Sequence, residues 1–63
     1  MPIAIINIME GRDDEKKALL IEKVTDAICE SLGSPIEAVR VIINEVPKSQ
    51  FGIAGKSAKE LGR

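Results

Sequence analysis

The sequence predicts an α+β fold: a small βαβ subunit with two parallel strands, one long helix and a short C-terminal hairpin arm. Three observations carry that expectation. Residues 3–9, Ile-Ala-Ile-Ile-Asn-Ile-Met, are nearly all apolar and rich in β-branched side chains. Between Asp13 and Gly33 the apolar residues recur at helical spacing. A second β-branched run, Val39–Val46, follows and stops at Pro47.

The first run reads as a strand covered on both faces, as parallel strands usually are. Pro2 stands at its start, where a residue with fixed φ and no backbone donor is tolerated. Glu10-Gly11-Arg12 breaks the pattern, with Gly11 supplying the turn. Asp13, Asp14 and Glu15 then suit the positive end of a helix dipole. Leu20, Ile21, Val24, Ala27, Ile28, Ser31 and Leu32 form the expected inner stripe of that helix. Glu22, Lys23, Asp26 and Glu30 fall on the other side, and Gly33 ends it.

Ser34-Pro35-Ile36-Glu37 has the form of a second helix start, with Ser34 capping, Pro35 in the first position and Glu37 completing a capping box. It leaves room for about one turn before the second strand. Phe51-Gly52-Ile53-Ala54-Gly55 reads as a bend or short hairpin arm, and the polar tail to Arg63 as mobile. Strand, helix, strand implies a right-handed crossover and parallel pairing. Two strands and one helix cannot cover themselves. Other copies of the chain are expected to close the open sheet edges and the second sheet face.

Size and composition point the same way. A chain of 63 residues is one domain, residues 1–63, and buries only about 60% of its unfolded-state surface. The usual supports of small domains are missing: Cys29 is alone, and no histidine is available for an ordinary zinc site. Self-association remains, so a homo-oligomer is expected. Net charge is −1 with both signs interspersed, and Phe51 is the only aromatic residue, which argues against nucleic acid as a partner. No apolar run approaches a membrane span, and the amino-terminal run has no basic start and carries Asn7 and Glu10, so a cytoplasmic protein is expected.

The chemistry available is narrow. Without histidine the commonest acid–base group is lacking. Cys29 beside the apolar stripe reads as inert packing, and no phosphate-cradling glycine loop or paired carboxylate appears. Three arginines, at 12, 40 and 63, stand among six lysines. Arg12 follows the first strand and Arg40 begins the second, so in a parallel pair they lie at opposite ends of the sheet. One subunit does not bring them together, whereas an oligomer interface does. Two planar guanidinium groups suit a dianionic substrate.

Pro2 gains meaning in that company. Once Met1 is trimmed, the mature terminus is a secondary amine. Nearby arginine cations and an apolar wall of Ile3, Met9, Phe51 and Ile53 both disfavour its charged form and poise it as a base.

The run PIAIINIMEGR, the helix start DDEKK and the segment SPIEAVRVIINEVPKSQFGIAG resemble the 4-oxalocrotonate tautomerase family over nearly the whole chain. The most specific parts are Pro2, Glu10-Gly11-Arg12, the Val-Arg-Val-Ile-Ile around Arg40 and Phe51-Gly52-Ile53-Ala54-Gly55. The resemblance implies a cofactor-free isomerase of aromatic hydrocarbon catabolism, needing neither metal nor organic cofactor, assembled as a homohexamer, a trimer of dimers. It assigns Pro2 as the base that moves a proton within 2-hydroxymuconate, a small dicarboxylate enol. Arg12 would hold the distal carboxylate. Arg40 of a neighbouring subunit would contact the other end. Phe51, with Met9 and Ile53, would keep the pocket dry.

Met9 stands where leucine is expected, a volume-conserving change. Asn7 and Ile5 replace more polar or basic residues, and the less basic carboxyl end leaves Arg63 without a role. Two alternatives stay open. One is a same-fold dehalogenase, hydratase or decarboxylase of small unsaturated acids, against which Ile53 supplies no water-activating carboxylate. The other is a non-catalytic assembly module.

Overall fold

The computed structural model describes all residues, Met1–Arg63. Strand β1 spans Ile3–Met9, helix α1 Asp14–Leu32, strand β2 Arg40–Val46, and the short strands β3 and β4 Gly52–Ile53 and Lys56–Ser57. Single 3-10 turns at Ile36–Ala38 and Lys48–Gln50 flank β2. β1 and β2 pair in parallel from Ile3 opposite Arg40 to Met9 opposite Val46, and β3 pairs with β4 antiparallel. The expected architecture is therefore present, arm included.

Parallel partners share a face. Ala4, Ile6, Ile8, Val41, Ile43 and Glu45 line one side of the sheet, and Ile3, Ile5, Asn7, Arg40, Ile42 and Asn44 the other. Helix α1 covers the first side. Its start is capped by the Asp13 carboxylate, which accepts from the Lys16 N–H at 2.9 Å. Lys17 then bridges to β2, with Nζ 2.7 Å from Glu45 Oε1 and 3.2 Å from Asp14 Oδ1. Hydrogen bonds to those two carboxylates raise Lys17 above its ordinary value.

The half-buried side of α1 is Lys17, Leu20, Val24, Thr25, Ile28 and Cys29. That stripe is rotated from the expected one, for Ile21, Ala27, Ser31 and Leu32 are exposed, Leu32 to 67%. Sequence periodicity alone did not separate two adjacent apolar flanks, of which a single sheet face covers only one.

The second sheet face is open. Ile3, Ile5 and Ile42 are 57%, 61% and 46% exposed, so β1 is covered on one side only. Val39 and Ala58 are the only buried residues. The accessible surface of 4698 Å² exceeds the roughly 3,950 Å² expected of a compact monomer of 6.8 kDa. The radius of gyration, 14.6 Å, likewise exceeds the about 10.6 Å of a compact chain this long. An isolated subunit is an extended body with a thin core.

Three local readings are corrected. Val39 closes the 3-10 turn, donating its N–H to the Ile36 carbonyl, and the strand begins at Arg40. Ser34 makes no capping box with Glu37: Pro35 is extended (φ −63°, ψ 142°) and flanks the turn, which puts Ser34 one residue too early. A capping box does form at Ser57–Glu60, where the Glu60 N–H donates to Ser57 Oγ and the Ser57 N–H to Glu60 Oε1, both at 3.1 Å. The tail is consequently turned back on the arm, with the Arg63 N–H donating to the Ala58 carbonyl at 3.0 Å.

Bonds from the Ser57 N–H and hydroxyl hold the Glu60 carboxyl below the ordinary 4.5. A group depressed in this way contributes stability above its unfolded value and loses it as pH falls through the folded one. An NMR titration should place Glu60 below the ordinary carboxylate range, and Ser57→Ala, which removes the hydroxyl but keeps the N–H, should raise it only part of the way back. An unmoved Glu60 value would show that the box does not form in solution.

The arm turns on Ala54 and Gly55, with φ of 52° and 87°. Two positive φ values are what a two-residue hairpin of this twist requires, but alanine adopts them at a cost of about 1 kcal/mol. Ala54→Asn is expected to raise stability by roughly that amount and Ala54→Val to lower it, measured by denaturant midpoint.

Candidate functional site

The register distributes the six expected site residues between two ends of the sheet. Pro2 lies at the end where β2 begins, and its carbonyl accepts from the Arg40 N–H at 3.0 Å. Arg40 is on the open face opposite Ile3, with Nη1 donating to the Glu37 carbonyl at 2.6 Å and to that of Val39 at 3.2 Å. Met9 ends β1 opposite Val46, six residues and about 20 Å away. Arg12 follows, its Nη1 donating to the Met9 carbonyl at 3.0 Å. The turn after β2 carries the arm from that same end, and with it Phe51 and Ile53.

One chain thus brings together Pro2 with Arg40, and Met9 with Arg12. It does not bring the two groups together. Within one chain only Ile3 adjoins Pro2, whereas Met9 and the arm with Phe51 and Ile53 stand at the far end, so a wall of all four around one Pro2 takes residues from a second copy. The one surface depression lies elsewhere, on α1, lined by Asp13, Glu15, Lys16, Ala18, Leu19 and Glu22, and it includes none of the six. No group of three or more His, Cys, Asp or Glu side chains converges to hold a metal.

Both guanidinium groups are exposed and bound only to backbone carbonyls; the two ion pairs of the chain both belong to Lys17. Arg12 and Arg40 therefore keep their charge uncompensated by a carboxylate, as an anion-binding arginine must. Pro2 is half-buried behind Met1, which is 78% exposed, and with Met1 attached its nitrogen is an amide.

The model of the tautomerase enzyme family matches residues 2–61. This chain belongs to the tautomerase family. The tautomerase is 59% identical over all 63 residues, the full length of both chains, to a 2-hydroxymuconate tautomerase of Stutzerimonas stutzeri. Among solved structures it is similar to the 4-oxalocrotonate tautomerase isozymes of Methylibium petroleiphilum, at 55% identity and a TM-score of 0.94 over 98% of this chain and all of that one. It is similar also to a heterohexamer 4-oxalocrotonate tautomerase from Chloroflexus aurantiacus, at 36% identity and a TM-score of 0.91 over 97% and 98% of the two chains. The tautomerase is accordingly an isomerase with the βαβ-and-arm fold of these enzymes. No helix of it is long and apolar enough to cross a membrane.

Proposed function

We propose that residues 1–63 form one tautomerase domain which, after loss of Met1, converts 2-hydroxymuconate-like dienols to the conjugated 2-oxo isomer. The free Pro2 nitrogen takes the proton of the 2-hydroxyl, the electron pair spreads through the conjugated acid, and the Pro2 ammonium returns a proton to the distal carbon. Atoms and charge balance without a cofactor, because the substrate delocalises its own charge. Arg12 binds the distal carboxylate and draws electron density toward it. Arg40 binds the carboxylate and carbonyl at the other end, and Met9, Phe51 and Ile53 exclude water.

The observation that carries this reading is the 59% identity, end to end, with a 2-hydroxymuconate tautomerase. The split geometry supports an assembled site, in which Pro2 of one copy meets Met9, Arg12 or the arm of another. A homohexamer, a trimer of dimers, agrees with the open face of Ile3, Ile5 and Ile42 and with the hexameric relative. The test is ketonisation of 2-hydroxymuconate by protein whose intact mass establishes Pro2 as its first residue. No turnover by such protein would refute the reading.

A further inference from the structure

Of all hydrogen bonds in the chain, a single one joins residues 48–63 to residues 1–46. It runs from the Lys48 N–H to Glu10 Oε2, at 2.9 Å. No ion pair crosses the same boundary. Everything beyond is strung from that peptide. The Lys48 carbonyl accepts from the Phe51 N–H at 3.5 Å and the Lys59 N–H at 3.2 Å, and the Phe51 carbonyl accepts from the Ala58 N–H at 2.7 Å. Glu10 is itself fixed, since its N–H donates to the Val46 carbonyl at 3.0 Å and so extends the β1–β2 ladder by one step. A rigid sheet end thus holds a carboxylate that holds the first N–H of the 3-10 turn carrying the arm.

We infer that Glu10 is a positioning residue: its carboxylate latches the Lys48 peptide and thereby sets where Phe51 and Ile53 stand relative to Arg12. The same bond has a second consequence. Glu10 lies two residues from Arg12, where an ion pair would quench the guanidinium, yet its Oε2 is turned to Lys48 while Arg12 donates to the Met9 carbonyl. The latch holds the arm and leaves the arginine charge free for an anion. The effect on turnover rests on the proposed dienol chemistry; the latch itself does not.

The test compares Glu10→Ala with Glu10→Gln, which keeps an oxygen acceptor. Lys48→Pro, which deletes the donor, is compared with Lys48→Ala, which keeps it. Pro47 is already extended (φ −58°, ψ 144°), as a residue before proline must be, and the first position of a turn tolerates proline. Phe51 is the only aromatic residue, so its ring signals report the arm directly.

Glu10→Ala and Lys48→Pro are expected to shift and broaden those signals and to raise KM for 2-hydroxymuconate about fivefold to tenfold, with a smaller change in kcat. In Glu10→Ala the Lys48 amide should also exchange about fivefold faster. Glu10→Gln and Lys48→Ala should stay close to the parent, and the double variant Glu10→Ala with Lys48→Pro should be no worse than either alone. Unchanged Phe51 signals in both Glu10→Ala and Lys48→Pro would overturn the inference, as would additive losses in the double variant. Should the parent itself fail to turn over the dienol, the proposed function falls, while the ring signals and amide exchange still decide the latch. Should Glu10→Ala not fold, the two Lys48 variants decide it.

Discussion

Chains that keep Met1 are expected to turn over 2-hydroxymuconate at least about a hundredfold more slowly than chains beginning at Pro2. The reason is the chemistry of one nitrogen. In a Met1–Pro2 peptide bond the lone pair is delocalised into the carbonyl and does not accept a proton near neutral pH. Freed, the same atom is a secondary amine, and in the proposed assembled site guanidinium groups and apolar neighbours would disfavour its charged form and move it toward working pH. A positioned base of matched basicity supplies about 10²–10⁴ in rate. The measurement is kcat/KM against the fraction of Met1-free chain from intact mass. Proportionality is expected. Equal activity in fully Met1-capped protein would remove Pro2 from the mechanism.

Arg12→Ala and Arg40→Ala are each expected to lower kcat/KM by about 10²–10³, the usual effect of deleting one group that stabilises developing charge. Their combination is more informative. In one chain these arginines stand at opposite ends of the sheet, Arg40 as the first residue of β2 and Arg12 just after β1, and neither has a carboxylate partner. If a site takes Arg12 from one copy and Arg40 from another, mixed assemblies of the two variants contain sites with both arginines intact. Random mixing should restore about a quarter of parental activity. Unmixed variants should remain inactive, which separates restoration from simple dilution. Failure of mass-verified mixed assemblies to recover activity would place both arginines of each site in one chain.

The elements were largely legible in the sequence, and the reasons are local. Residues 3–9 formed the strand expected of them, because four isoleucines in seven residues leave little else. Helix α1 ends where Gly33 adopts φ of 69° and donates its N–H to the Cys29 carbonyl. The misjudged places are those where two similar signals compete. Ser34 and Ser57 each precede a glutamate by three residues, yet only the second closes a capping box, since extended Pro35 displaces the first from the turn. Two apolar flanks of the helix competed for one sheet face. The outcome is marked by the ion pair of Lys17 with Glu45, which joins residues 28 positions apart.

The candidate site was legible as residue types but not as a place. Pro2, Arg12 and Arg40 stand out because histidine is lacking and guanidinium groups are few. Glu10 carried no such signal; its part appears only when the Lys48 N–H is found against its carboxylate.

The order of strand, helix, strand and arm, and the need for company, follow from the residues alone. Periodicity and turn residues act over a few positions, and a core this small is short of buried surface whatever its arrangement. Which side of the helix is covered, what ties the arm down, and the bond of the Arg40 N–H to the Pro2 carbonyl emerge only in the folded chain. Those facts depend on the register of β1 against β2, which is set by contacts between residues nearly forty positions apart.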